Sequence, residues 1–264
     1  MTESNPYQAP ESELHGESKT PFALTTPRAV SIGRCAGWIG DSFGYFKQSP
    51  LSWILICIIG FVVMMVVSFI PIIGQLFMMG TTYVWIGGLM LGCKALHDGQ
   101  ELKIDHLFAG FKSKVGPLIG LSLLATGINI LVMVVTVGPL FLQLMMMGDP
   151  TQMDAQTQEA FSNPMALAGS FVIAMLIMLP VTMAIYFAPA LMVLNDVSLI
   201  QALKLSFMGS LKNIVTIILC LILVSILFTI VAVITLGLGA LVLAPMMFAL
   251  MFVAYKDIFI ETNA

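Results

Sequence analysis

The feature that most constrains this chain is a series of long apolar segments that carry almost no charge. A helix needs about 20 apolar residues to cross the hydrocarbon core of a membrane. Six segments reach that length, at 51–70, 75–96, 115–137, 164–194, 213–235 and 240–260. They predict an all-α fold, a polytopic membrane helical bundle of six transmembrane helices in three hairpins, with short cytoplasmic interfacial helices.

The composition argues against a water-soluble domain. Hydrophobic residues make up 59% of the 264 residues and charged residues only 9%, whereas a soluble domain carries about 25% charged residues. The net charge is −3 and the basic residues form no cluster, so we expect no nucleic-acid partner. The four cysteines form no CxxC pair. We interpret them as small packing residues and expect neither a metal site nor a cofactor.

Glycine and proline mark the ends of the spans. The segments Pro71–Gly74 and Leu236–Gly239 predict tight turns that close the first and third hairpins. A longer polar loop at 148–163 joins the third and fourth spans. The three hairpins therefore differ in how they are closed.

Prolines inside the apolar segments predict distortions. Pro180 and Pro189 are expected to kink the fourth span, and neighbouring helices must then satisfy the freed carbonyl groups. Pro245 is expected to interrupt the sixth span, and Gly138-Pro139 to break the helix that follows the third span.

The first residues differ from the rest of the chain. Residues 1–27 are polar and rich in Pro, Ser, Glu and Thr, without the apolar core of a cleaved leader. We expect them to form a disordered cytoplasmic tail, because they have too little apolar surface to offset the entropy of ordering. Residues 28–264 are predicted to form a single integral membrane domain.

The basic residues predict the orientation. With six spans, all eleven Lys and Arg fall on one face of the membrane, and the loops of the other face carry only Asp149, Asp154 and Glu159. Positive residues stay on the cytoplasmic side. We therefore expect both termini to be cytoplasmic.

Amphipathic segments precede the three hairpins and end alike. Two of them read Phe43-x-x-Phe46-Lys47 and Phe108-x-x-Phe111-Lys112, and the third ends at Lys212. Their apolar stripes and lysines suit the headgroup region. The residues predicted to contact interfacial lipid are Lys47, Lys112, Lys212, Phe43, Phe108 and Phe111. The pattern is either a threefold repeat of interfacial helix, span and span, or three unrelated juxtamembrane helices.

Three motifs carry a resemblance to a known family. They are the tail segment Asn5–Pro10, the Pro71-x-x-Gly74 turn, and His97-Asp98-Gly99 followed by Leu107-Phe108-x-Gly110-Phe111. With them, the chain resembles an uncharacterised family of multi-pass bacterial inner-membrane proteins over most of residues 35–125. The resemblance implies the same architecture and a bacterial inner-membrane location, and it implies no activity.

The spans offer few candidates for chemistry. No ionisable residue lies near the middle of a span, which counts against a proton-coupled pump or an ion relay. Asn129, Tyr83 and Tyr186 are the candidates for lining a solute path, although interhelical packing by the Asn129 amide and by the tyrosine rings explains them as well. We identify no catalytic residue and expect no enzyme.

Two functions fit these observations. The first is a non-enzymatic scaffold, assembly factor or envelope-homeostasis component, whose partners would be membrane lipids, further copies of the chain or other membrane proteins. The second is a small transporter or permease for an uncharged or amphipathic, lipid-like solute, built around the proline-containing spans.

Overall fold

The computed structural model describes residues 22–136 and 164–260, and most of these residues are helical. A 3-10 helix at Ile104–Phe108 precedes α4. The α-helices are α1 (Arg34–Gln48), α2 (Pro50–Ser68), α3 (Ile73–His97), α4 (Ala109–Lys112), α5 (Val115–Thr136), α6 (Pro164–Tyr186), α7 (Ala188–Leu194), α8 (Leu199–Lys212), α9 (Ile214–Ile234) and α10 (Ala240–Phe259).

The prediction of a six-span helical membrane bundle is confirmed. In the described ranges, six helical stretches are long and apolar enough to cross a membrane. They are α2, α3, α5, the stretch Phe171–Leu194 of α6 and α7, α9 and α10. Apart from the fourth, which begins at residue 171, their bounds differ from the predicted ones by at most two residues.

The predicted tight turns close the first and third hairpins. Ile72 and Leu236 have φ angles of 60° and 51°, and Gly237 has φ +89°. Gly74 stands where α3 begins against the end of α2, and a Cβ there would collide with the carbonyl oxygen of Val67. A close approach of two backbones therefore requires glycine at this position.

The two ends of the bundle differ in charge. We call the end where α2, α5 and α9 begin and α3, α7 and α10 end the basic end, and the other the opposite end. Ten of the eleven Lys and Arg lie in described residues. Eight of them flank the spans at the basic end, and Lys94 and Lys256 lie in the last turns of α3 and α10 at that end. Lys19, Asp149, Asp154 and Glu159 lie outside the described residues.

The buried core lies mainly in the half of the bundle next to the basic end. Helices α3 and α10 are central, because 50% and 56% of the residues in their most apolar stretches are buried inside the bundle. In α2 and α9 only 11% of these residues are buried. The largest side chains that are fully buried include Trp38, Trp53, Phe187, Phe252 and Tyr255. Spans α2 and α9 therefore lie at the edge of the bundle.

The segment 104–112 packs against the middle of α3. Gly110 lies on Gly88, and a Cβ on Gly110 would collide with the carbonyl oxygen of Val84. The ring centroid of Phe111 lies 5.0 Å from that of Trp85. Small residues permit this contact. The apolar side chains of the segment therefore pack partly against α3 and do not all face lipid.

The fourth span is broken between α6 and α7, close to the predicted kink at Pro189. The N–H of Phe187 donates to the hydroxyl oxygen of Ser206 at 3.0 Å, and that hydroxyl donates to the carbonyl of Met183 at 2.8 Å. The Ser206 side chain thus bridges the N–H of Phe187 and the carbonyl of Met183, which an unbroken helix would join directly. By contrast α6 continues through Pro180. The carbonyls that Pro180 and Pro189 free are those of Leu176 and Ile185, and their bonding to neighbouring helices stays a prediction.

Two other proline predictions have different outcomes. Helix α10 runs unbroken through Pro245, so the expected interruption of the sixth span is wrong. A proline within an apolar helix is tolerated when its surroundings compensate for the lost hydrogen bond. Gly138-Pro139 lies outside the described residues.

Residues 22–30 cross the basic end of the bundle, and we call them the strap. The N–H groups of Thr25 and Arg28 donate to the carbonyls of Phe259 and Ile258 at 2.7 and 3.0 Å. For residues 22–27 the structure therefore differs from the expected disordered tail, because distant helix ends supply the hydrogen bonds that a local composition argument omits. Residues 1–21 lie outside the described residues.

The order of elements repeats three times, but the packing does not. A short helical segment precedes each pair of spans: α1, residues 104–112 and α8. However, α1 packs along α10, residues 104–112 pack on α3, and α8 packs on α6. The repeated order of elements is compatible with the threefold-repeat hypothesis, but the contacts of the three segments are not repeated. The hypothesis therefore stays a prediction.

Candidate functional site at the basic end

Polar side chains converge on Asp257, in the last turn of α10. Its Oδ2 accepts hydrogen bonds from Arg34 Nε at 2.5 Å and from Trp38 Nε1 at 2.8 Å. The Asp257 side chain is 15% exposed. Arg34 also contacts Asp41 at 2.7 Å on the surface. The cluster fastens α1 to the end of α10.

The carboxylates of this cluster stabilise the positive charge of Arg34. The hydrogen bond that Arg34 donates to Asp257 raises the pKa of the guanidinium, and burial opposes this shift. Arginine stays protonated in any case, so the guanidinium does not act as a proton donor.

The strap is fastened by the amides of two asparagines, one buried and one half-buried. Asn213, between α8 and α9, accepts from the N–H of Val30 at 2.8 Å and donates to the carbonyl of Arg28 at 2.9 Å. Asn195, after α7, donates to the carbonyl of Phe22 at 2.9 Å. Three helix ends are thereby joined through one extended segment.

A polar cleft opens between α1, α3 and α10 at the basic end. Its volume is about 370 Å³. We call it the basic cleft and define it by its lining residues, Gly40, Asp41, Gly44, Tyr45, Gln48, Leu96, His97 and Lys256. A Cβ built on Gly40 or Gly44 meets nothing within 4 Å, so these glycines leave the α1 wall open.

Tyr45 and His97 connect the floor of the basic cleft to the strap. The Tyr45 hydroxyl and His97 Nδ1 share a hydrogen bond of 3.2 Å. Burial raises the pKa of the Tyr45 phenol, so it stays neutral. The ring of Phe22 packs edge-on to His97, with centroids 5.8 Å apart, and Lys94 Nζ lies 5.0 Å from the Phe22 centroid.

The basic cleft presents a carboxylate, an ammonium group and an imidazole, those of Asp41, Lys256 and His97. Asp41 is engaged by Arg34 and His97 by Tyr45. The residues that line this cleft include no serine, threonine or cysteine, so it does not contain a Ser–His or Cys–His catalytic pair. A lysine, a carboxylate and a hydrogen-bonded imidazole can together bind a polar or charged group.

The three residues predicted to line a solute path do not contact one another in any hydrogen bond or ring contact of the described residues. Asn129 is exposed, and its amide donates to the carbonyl of Ala125 in its own helix at 2.8 Å. The N–H of Tyr83 donates to Ser122 at 3.1 Å. The ring of Tyr186 packs on Phe187 with centroids 4.7 Å apart. The interhelical bond expected of the Asn129 amide is absent among the described residues.

The predicted interfacial residues divide into two groups. Phe43 is 42% exposed and Lys47 lies over its ring at 5.1 Å, which suits a lipid contact. Phe108 and Phe111 are half-buried against Trp85.

The two remaining lysines also differ. Lys212 donates to the carbonyl of Pro27 in the strap at 2.8 Å, and Lys112 is exposed. Lipid contact by the six residues stays a prediction.

Sequence analysis did not identify Asp257, Asn213 or Asn195 as site residues. Asn195 was visible only as the polar end of the fourth span, and Asp257 only as one charge at the end of the sixth. Their partners described above lie 173 to 223 residues away in sequence, and no local pattern encodes such pairs. A charged residue at the end of an apolar span is the only local signal.

Comparison with known proteins gives no assignment. The chain matches no family model, no curated protein and no solved structure. What the protein does must therefore be argued from its own geometry.

Proposed function

We propose that this protein is a non-enzymatic scaffold of a bacterial inner membrane that supports envelope assembly or homeostasis by holding a partner at the basic cleft. Its termini would both lie in the cytoplasm. The resemblance to uncharacterised bacterial inner-membrane proteins supports the location.

One observation carries the proposal: two ion pairs of the described residues join separate structural elements. Arg34 of α1 binds Asp257 of α10, and Lys114 binds Asp196 across two loops. A third pair, Lys94–Asp98, lies at the end of α3. Charges paired in this way stabilise a shape, and Asp41, which lines the basic cleft, is itself paired with Arg34.

The orientation rests on the ten described basic residues at one end of the bundle. Basic residues are retained on the cytoplasmic side during insertion. A reporter that is active only in the periplasm, fused after the last residue, should stay inactive. Periplasmic activity would contradict the proposed orientation.

The scaffold function is tested in a deletion strain that carries an envelope-stress reporter. We expect deletion to induce the reporter and the intact gene to restore the basal level. Gly44→Trp, which fills the basic cleft, should fail to restore it although the protein accumulates normally. Gly127→Trp is the matched control, because a Cβ there also meets nothing within 4 Å and the residue lies outside the cleft on α5.

Two outcomes would contradict the scaffold proposal. An unchanged reporter signal in the deletion strain would contradict the envelope role. Equal restoration of the basal signal by Gly44→Trp and Gly127→Trp would show that a partner does not bind in the basic cleft.

The break in the fourth span supports a second candidate, a permease for an uncharged or lipid-like solute. Discontinuous helices form the substrate sites of many transporters, and α6 and α7 are separated at Phe187. Under this alternative, deletion alters the uptake or retention of an amphipathic solute. Asn129→Leu would fail to restore normal uptake if Asn129 lined the path, and would still restore the basal level of the envelope-stress reporter.

A further inference from the structure

A second cavity opens sideways between α2, α3 and α10. Its volume is about 390 Å³, within the range of about 300–1,000 Å³ that is usual for small-molecule sites. We call it the lateral groove and define it by six of its lining residues, Gly60, Met64, Met78, Trp85, Leu89 and Phe248.

The walls of the lateral groove are apolar. The hydroxyl group among the lining residues, that of Thr82, donates to the carbonyl of Met78 in its own helix at 2.9 Å. Water in the groove would therefore lack the polar partners it needs. The chemistry of the walls selects a hydrocarbon occupant.

The lateral groove lies within the membrane-spanning segments and is open to their outer surface. Two of its lining residues, Phe61 and Met64, are 69% and 40% exposed. From Leu89 to Met78 it follows α3 for about 16 Å, at 1.5 Å per residue. That length is about half of a hydrocarbon core of about 30 Å, which is the depth of one leaflet.

One basic side chain, that of Lys112, belongs to the segment that lies beside the lateral groove. Gly110 of this segment lies against Val84 and Gly88, the residues that precede Trp85 and Leu89 of the groove. Lys112 follows Gly110 by two residues, which places its Cα within about 7 Å of that contact, and its side chain is exposed. A phosphate at this level would face a positive charge while the attached chain enters the groove.

We propose that the lateral groove binds one acyl chain of an anionic phospholipid from the leaflet at the basic end, with the phosphate at Lys112. Trp85 lines the groove and is only 6% exposed, so lipid reaches its ring through the groove and not from the general lipid surface. The inference does not depend on the scaffold function proposed above, since a scaffold or a permease could hold such a lipid.

Quenching of tryptophan fluorescence tests the site. The full-length protein is reconstituted in vesicles of equal parts phosphatidylethanolamine and phosphatidylglycerol, with one lipid brominated midway along an acyl chain. Trp38 and Trp53 are 1% and 0% exposed, and Trp85→Phe gives their contribution for subtraction. We expect brominated phosphatidylglycerol to quench Trp85 more strongly than brominated phosphatidylethanolamine.

Groove-filling variants locate the bound chain. A Cβ on Gly60 meets only Leu107, at 3.8 Å, so Gly60→Phe has room to occupy the groove. It should reduce the quenching of Trp85 at least twofold, as the filled site loses its lipid. Gly127→Phe makes the same change on the lipid-facing side of α5 and should leave the quenching unchanged.

The headgroup contact has its own pair of variants. Lys112→Ala should remove the difference between the two brominated lipids, whereas Lys204→Ala, an exposed lysine on α8, should keep it. If Lys112→Ala keeps the difference, the assignment of the phosphate to Lys112 is wrong.

The proposal fails if Trp85 is not quenched in the unsubstituted protein, because a protein segment then fills the groove or the groove is closed. It also fails if Gly60→Phe and Gly127→Phe are quenched equally. Ala244→Leu fills the groove from the α10 wall and provides an independent second variant, which must lower the quenching if Gly60→Phe does not fold.

Discussion

The half of the bundle near the basic end and the half near the opposite end are built from the same six spans but have different neighbours. Near the basic end, Trp53, Phe252 and Tyr255 are fully buried by protein. Near the opposite end, Phe69 and Leu236 are 77% and 93% exposed. In lipid an apolar side chain gains little by exchanging hydrocarbon for protein, so the exposed half has no need of a core.

The difference shows what holds helices together where the hydrophobic effect is weak. Close backbone contacts and interhelical hydrogen bonds provide the association. In the described residues the Gly88–Gly110 contact, the Ser206 bridge and the Asp257 cluster join elements that are distant in sequence, and all three lie in the half near the basic end. The close approach of Gly74 to Val67 at the opposite end only closes a turn between consecutive helices. Matched substitutions in the two halves should therefore have unequal costs.

The largest expected difference is between two phenylalanines. Phe252→Ala removes a fully buried ring and should lower the free energy of unfolding by about 4 kcal/mol, because the cavity cannot be filled by lipid. Phe69→Ala, at the exposed turn, should change it by less than about 0.5 kcal/mol. Denaturation of the full-length protein in detergent micelles measures both. Equal effects would contradict the division into two halves.

A glycine pair tests the backbone contact. Gly110→Leu forces a side chain into the carbonyl of Val84 and should destabilise the protein by about 3 kcal/mol, the upper range for overpacking. Gly116→Leu is the control, since a Cβ there meets nothing within 4 Å. The melting temperature in micelles separates the two, and similar melting temperatures would show that residues 104–112 do not need this contact.

The ionic cluster offers a comparison between a buried and an exposed carboxylate. Asp257→Asn weakens hydrogen bonds to Arg34 and Trp38 and should cost about 2 kcal/mol, as expected for hydrogen bonds to a charged group. Asp41→Asn breaks only an exposed pair and should cost at most about 1 kcal/mol. The same unfolding measurement compares the two losses of stability. A larger loss for Asp41→Asn would show that Asp257 is not the main carboxylate of the cluster.

The smallest effect is expected at the helix break. Ser206→Ala leaves Phe187 N–H and Met183 C=O without their bridging hydroxyl, although Ser210 also donates to Met183. We expect a loss of about 1 kcal/mol. Ser225→Ala removes a hydroxyl that bonds only its own helix at an exposed position. If both serines have the same effect on unfolding, the bridge does not stabilise the break.

The spans and their turns could be predicted from sequence because each depends on local composition. The third span was predicted at 115–137 and is observed at Val115–Thr136, since a run of apolar residues needs only lipid around it. The turns at Pro71–Gly74 and Leu236–Gly239 follow in the same way from residues that act on their own backbone.

Features that depend on distant partners were not predictable. The break at Phe187 needs Ser206, which lies 19 residues later, and prolines alone did not locate it. The strap looks like a polar tail until Asn213 and Phe259 supply its hydrogen bonds. Asn129 was not placed correctly, because Ser122 and Thr126 precede it at helical spacing and both bond α3, whereas the Asn129 amide bonds only its own helix.

The strap also constrains the order in which the molecule can be completed. Residues 22–30 leave the ribosome before any of the spans, yet they are held by the backbone of Ile258 and Phe259, which are translated after all of them. The strap can therefore bond Asn195 and Asn213 first, and its bonds to α10 can form only after the sixth span has been synthesised. Closure of the basic end is thus complete only once Ile258 and Phe259 are available, and a chain truncated before Ile258 lacks these bonds.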